Sequence, residues 1–180
     1  VNITLGNNCT FRLQPSNVGG FNFSDTIIVN DSNPANGNLI DCAGKYDYGL
    51  FRKSDMKLLC WGTVMAEDKS APMVTSVLQT RDTFECIYLD EVLNNPRSGQ
   101  DTSYRYYLGE VFFADNCGSC GCSVNKKFYD QIEYTSCTAG NIYARLRRKW
   151  VATDCQNNQR DTVITYVLVR PSLDSLIKVR

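Results

Sequence analysis

Histidine is absent from the 180 residues. Without it, Ser-His and Cys-His nucleophile pairs cannot form, nor can zinc sites with imidazole ligands. Net charge is absent too, with Lys+Arg 19 against Asp+Glu 19. The basic footprint of a nucleic-acid binder is therefore missing, and no nucleic-acid partner is expected. No apolar run approaches the ~18 residues needed to cross a bilayer, so no membrane insertion is expected. The opening "VNITLGNNC" has neither a charged n-region nor an apolar h-region. A signal peptide is thus not expected in it, whether one was removed or the stretch is internal to a longer chain. Helix-building Ala, Glu and Lys are scarce beside Asn, Thr, Ser, Tyr and Val, which favours strands and turns.

Cysteine, by contrast, is plentiful, with nine in the chain. Such usage is high for a reduced cytosolic protein and ordinary for a secreted, stapled one. Three of the nine, Cys117, Cys120 and Cys122, crowd into "NCGSCGC". A thioredoxin-type CxxC needs a cysteine at a helix N-terminus inside an α/β fold, and here the context is β with Gly, Ser and Asn around it. Structural zinc needs four ligands, usually from a second CxxC, which the chain lacks. Disulfides are the expectation for Cys9, Cys42, Cys60, Cys86, Cys117, Cys120, Cys122, Cys137 and Cys155. Nine is odd, so one thiol is free or pairs outside the chain. A Cys9–Cys60 bridge would close a loop of about fifty residues and contribute about 4 kcal/mol, while Cys86 and the five later cysteines suffice for three bonds. Connectivity is left open by sequence.

Alternation and turn signals outline the strands. "VNITL" and "CTFRL" around "GNN" suggest a hairpin. "DTIIV", "KYDYGLF" and "MKLLCWGTVMAED" follow, the last apolar on both faces and so expected to be central or covered. "KSAP" (69–72) breaks the pattern and marks a domain boundary. Beyond it, "FECIYL", "YLGEVFFAD" and "KKFYDQIEYTSC" are expected strands. "NIYARLRRKWVATD" (141–154) alternates most cleanly, with Arg148 the single cation on its apolar face. "TVITYVLV" (162–169) is a β-branched run expected to be covered on both sides. The fold class predicted is all-β, two tandem sandwich domains stapled by disulfides, over 1–72 and 73–170, with 171–180 a linker or the first strand of a further unit.

Chemistry-bearing candidates are few, and no catalytic residue is expected. The loop "NDSNPANGN" supplies Asp31, Asn33 and Asn36 but lacks the acidic spacing of an EF-hand. A turn is the expected role; no metal or other cofactor is expected, calcium there being the alternative. Asp90 and Glu91 in "LDEV" would face opposite ways on a strand, poor geometry for shared acid–base work. "RLRRKW" offers Arg145, Arg147 and Lys149 as a grip for an anionic surface. Its plainer role is a solvated strand face that discourages edge pairing. Sequons at Asn2, Asn8, Asn22 and Asn30 suit N-glycans or an Asn/Thr-rich composition alike.

Two stretches carry a family resemblance. "VNITLGNNCTFRLQPSNV" followed by "CWGTVMAEDKSAP" resembles a repeat unit of very large secreted proteins of Bacteroidota-type bacteria. "ADNCG", then "YARLRRKWVATDCQNNQRDTVITYVLVRP", is similar to the companion hyalin-type (HYR) immunoglobulin-like repeat. "CQNNQR" departs from the usual glycine-containing turn, and the Cys117–Cys122 cluster is richer than the pattern. The resemblance implies two immunoglobulin-like modules from an extracellular adhesin or filament exported by the type IX route. It implies no catalysis, with neighbouring repeats of the same chain and identical filament subunits as partners. It also places Asp-Ser/Thr-apolar O-glycosylation matches at Thr26, Thr162 and Ser175. The alternative function is a module binding surface glycans through Tyr104, Tyr106, Tyr107 and the Arg145–Lys149 face.

Overall fold

The computed structural model describes residues 1–19, 25–31, 33–94, 108–135 and 141–172. The chain forms two compact units, and they are not consecutive. Unit 1 comprises Val1–Ala71 with Asp115–Val124 and Asp154–Asn158. Unit 2 comprises Pro72–Ala114, Asn125–Thr153 and the chain from Gln159 onward. A linear division at residue 72 therefore misassigns two later segments, which disulfides tie into unit 1.

In unit 1, strands β1 (Asn2–Thr4), β3 (Asp25–Asn30), β5 (Gly44–Arg52) and β6 (Leu58–Glu67) form one sheet in the order β1-β6-β5-β3. β2 (Phe11–Arg12) pairs with β4 (Leu39–Ile40) in a second, small sheet. The expected hairpin of residues 1–13 is thus not formed. β1 instead runs parallel to β6, with Ile3 opposite Ala66, and β2 joins β4. Between them the chain turns tightly at Cys9, whose φ is 58° and whose N–H donates to the Gly6 carbonyl at 2.9 Å. The core gathers Ile3, Leu5, Leu13, Ile27, Val29, Ile40, Tyr48, Leu50 and Val64 around buried Cys9, Cys117 and Cys122. Gly62 lies across from Tyr48, and a Cβ there would sit 2.8 Å from the tyrosine hydroxyl, so the glycine makes room for the ring.

β6 departs from the expectation that both faces are covered. β1 borders only residues 65–67, so Leu58–Thr63 hold one partner strand rather than two. Leu58, Leu59 and Met65 are exposed, and Trp61 is 76% exposed. Only Val64 and Ala66 of this strand are buried.

In unit 2, β8 (Thr83–Glu85), β10 (Asn125–Tyr134), β11 (Ile142–Thr153) and β12 (Gln159–Val169) form a sheet ordered β10-β11-β12-β8. β7 (Met73–Gln79) pairs with β9 (Gly109–Ala114). The stretch 84–89 is not a strand throughout. After β8 comes a 3-10 turn, Cys86–Tyr88, and then helix α1 (Leu89–Asn94). Asp90 and Glu91 sit in the first turn of α1, where carboxylates complement exposed N–H groups. Leu89 and Val92, three apart, are its buried residues. β12 is hydrogen-bonded on both edges, but its faces differ: Ile164, Tyr166 and Leu168 are buried while Val163 is exposed.

β11 follows its alternation residue by residue. Ala144, Leu146, Arg148, Trp150 and Ala152 are buried, and Tyr143, Arg145, Arg147 and Lys149 are exposed. Arg148 stays on the apolar face because Asp130, opposite it on β10, meets its guanidinium with two hydrogen bonds at 2.8 and 2.7 Å. The Phe128 ring lies 4.3 Å from the guanidinium carbon, covering its face. Nearby, Lys126 pairs with buried Glu110, and burial lowers the lysine's pKa. Phe128 also packs on Trp150, with ring centroids 5.0 Å apart.

Removing one member of a desolvated, bidentate pair strands the other charge. Asp130→Ala is expected to cost about 3–5 kcal/mol in urea unfolding. Glu133→Ala, which breaks the half-exposed pair with Arg147, is expected to cost less than about 1 kcal/mol.

Candidate functional site

Three disulfides close within unit 1: Cys9–Cys117, Cys42–Cys120 and Cys122–Cys155. Their Cα–Cα distances are 5.0, 5.6 and 5.4 Å, inside the range that bridges without displacing backbone. The crowded "NCGSCGC" stretch is thus a hub from which three bonds leave for three distant parts of the chain. Its backbone allows this through a 3-10 turn, Gly118–Cys120, ended by Gly121 at φ 77°. The turn spreads the three sulfurs in different directions, which an extended strand would not do.

The Cys9–Cys60 bridge is not formed. Cys9 is bonded to Cys117, and Cys60 lies free on the exposed part of β6. Cys86 is also free and half-buried, so the grouping of Cys86 with the later cysteines into three bonds does not hold either. Cys137 lies outside the described residues.

Beside the hub stands a cluster of aspartates, all in unit 1. Asp68, Asp115 and Asp154 each occupy the first position after a strand: β6, β9 and β11 respectively. Each turns the chain by accepting a backbone N–H two residues on. Asp68 takes that of Ser70 at 2.9 Å, Asp115 that of Cys117 at 3.0 Å, and Asp154 that of Gln156 at 2.8 Å. Asn158 joins two of them, donating through Nδ2 to the Asp68 carbonyl at 3.0 Å and to Asp154 Oδ2 at 2.9 Å.

Asp68 and Asp154 are buried, at 3% and 5% exposure. A carboxylate oxygen of Asp68, one of Asp115 and the Cys117 sulfur lie within 4.8 Å of one another. Asp68 Oδ2, Asp115 Oδ1 and Asn116 Oδ1 are buried and accept no hydrogen bond. Burial pushes the Asp115 carboxyl above its usual range, the N–H of Cys117 acts against this, and the charges of Asp68 and Asp154 add to the rise. Among the described residues this is the one grouping of potential metal-ligating side chains.

The loop at 30–38 is arranged differently. Asp31 spends both oxygens on local donors, the Asn33 N–H at 2.8 Å and Asn36 Nδ2 at 3.2 Å, so its carboxylate closes the turn.

The cationic face lies in unit 2. Arg145, Arg147 and Lys149 are exposed on β11, which is flanked by β10 and β12 and so is not an edge strand. Arg147 pairs with Glu133 at 3.4 Å and Lys149 with Asp161 at 2.9 Å. Tyr129, Asp130, Gln131, Arg147, Lys149 and Val163 line a shallow depression of about 200 Å³ on this face. Arg145 is not part of its lining. Tyr104, Tyr106, Tyr107, Asn22 and Ser175 lie outside the described residues, whereas Thr26 and Thr162 sit half-buried in β3 and β12. No helix among the described residues is long and apolar enough to cross a membrane.

The three aspartates stand in "EDK", "ADNC" and "VATDC", motifs too far apart in the chain for local pattern to group them. The available signal was an Asp just past each strand end, two of them next to or two before a cysteine. No protein-family model matches the chain, and no curated protein matches it.

Non-reducing peptide mapping is expected to recover links 9–117, 42–120 and 122–155, with native alkylation fastest at Cys60. The double variant Cys122→Ser/Cys155→Ser opens the shortest loop, of sequence separation 33, and should lose about 3–4 kcal/mol of stability in denaturant titration.

Proposed function

We propose that this chain is a non-catalytic extracellular structural element, a disulfide-braced spacer of a large surface adhesin or filament. Its two units are taken as immunoglobulin-like sandwiches of the HYR-related kind that the motifs resemble. Supporting this, each unit carries a three-residue strand in parallel with its last long strand, β1 with β6 and β8 with β12. Three disulfides point to an oxidising environment.

The observation that carries the proposal is the covalent load path. With the disulfides closed, tension entering at Val1 travels 1–9, crosses to 117–122, and crosses again to 155–180. Residues 10–116 and 123–154 are bypassed. A fully unravelled oxidised chain would therefore extend about 150 Å, against about 600 Å when reduced. A strut needs this resistance to lengthening, and binding or catalysis does not. Neighbouring repeats of the same chain and identical filament subunits are its natural partners, with Thr26 and Thr162 as O-glycan acceptors.

One observation favours a second role, glycan binding. The depression over Tyr129, Arg147 and Lys149 joins an exposed aromatic ring to hydrogen-bond donors, the chemistry sugar recognition uses.

Single-molecule stretching decides the first reading: the fully stretched length should grow about fourfold when reductant is added. Equal extension in both conditions would remove the strut. On a glycan array the spacer should show no saturable signal; one that Arg147→Ala abolishes would favour the binding role.

A further inference from the structure

We propose that Asp68 and Asp115 hold a calcium ion beside the disulfide hub of unit 1. The carboxylate oxygens that approach within 4.8 Å come from chain segments almost fifty positions apart, and Asp154 adds a third negative charge close by. Clustered carboxylates alone prove little, since turns account for many. Here the hydrogen-bond inventory adds a separate point. Asp68 is 3% exposed, Ser70 satisfies only its Oδ1, and its Oδ2 faces no donor. Asp115 repeats the pattern, with Cys117 satisfying Oδ2 and nothing meeting Oδ1. Buried anionic oxygens without a donor cost several kcal/mol each, and two near each other repel as well. A cation, a shared proton or an ordered water can offset this, and the gathering of three carboxylates favours the cation.

The donor set selects the kind of cation. Cys117 is the third atom of the group, but its sulfur is bonded to Cys9 and offers no thiolate. What remains is oxygen, with no nitrogen ligand anywhere in a chain without histidine. Oxygen-only sets suit calcium, magnesium or manganese rather than zinc or copper. Calcium accepts irregular geometry and six to eight ligands, so carbonyl groups and water complete it readily, whereas magnesium demands a near-octahedral cage. The hub would gain from such an ion, because Asp115 leads directly into Cys117. A cation there fixes the entry of the stapled loop.

The test uses the oxidised, full-length chain stripped with chelator. Calorimetric titration with CaCl₂ should reveal one saturable site with a dissociation constant of about 10⁻⁴–10⁻³ M, as in extracellular calcium modules. The melting midpoint should rise by about 5 °C at 10 mM calcium. Magnesium should produce a smaller shift. Asp68→Asn and Asp115→Asn both retain the turn-forming oxygen, and each should weaken calcium binding at least tenfold. Asp31→Asn, where both carboxylate oxygens already meet local donors, should leave it unchanged. If the pair instead shares a proton, both Asn variants will melt higher without metal and wild type will ignore calcium; that result overturns the proposal. Calcium binding that survives in both Asn variants overturns it equally.

Discussion

Sulfur–sulfur bonds decide which residues count as neighbours in this protein. Unit 1 on its own has a modest apolar core, built largely from one face of a four-stranded sheet. At that size hydrophobic burial leaves little net stability after chain entropy is subtracted. The bonds from Cys117, Cys120 and Cys122 bring residues 115–124 and 154–158 to that core, and two of the sulfurs become part of it. The tight turn at Cys9, the left-handed Gly121 and the three aspartate turns are all ways of delivering loops to the hub.

Unit 2 achieves the same end differently. No disulfide lies among its described residues, and its core is built of bulkier side chains, with Trp150, Tyr166, Leu146 and Leu168 fully enclosed. It also encloses charge, at Arg148 with Asp130 and at Lys126 with Glu110. Such pairs add little net stability, because desolvation offsets the attraction. Their effect is on register, since a slip of one residue between β10 and β11 would leave Arg148 without its partner.

How much of this was legible depended on the range of the interaction. The alternation of 141–154 specified β11 and which side chains face inward, because neighbours on a strand alternate whatever the fold. Arg148 was visible as an exception, but its explanation, Asp130, lies eighteen residues away on another strand. The helix at Leu89–Asn94 escaped notice because it is short and its apolar residues also fit a strand. Exposure of Trp61 went unseen because no local pattern states whether a second layer covers a face. The sulfur partners were illegible for the same reason. Sequence gives the number of cysteines, and only the path of the chain gives their distances. The aspartates lay in plain view, one after each of three strands, but their convergence belongs to tertiary structure.

The interleaving of the two units has a bearing on how such a chain can be cut or copied. Residues 1–71 have the outline of a movable cassette, bounded by a proline. Separated from the remainder, they would carry Cys9 and Cys42 without mates and lose the loops that cover them. The complementary fragment would keep Cys122–Cys155 but carry Cys117 and Cys120 without mates. The smallest inheritable piece is therefore the whole pair. A duplication of this sequence that kept all three bonds would have to copy both units together.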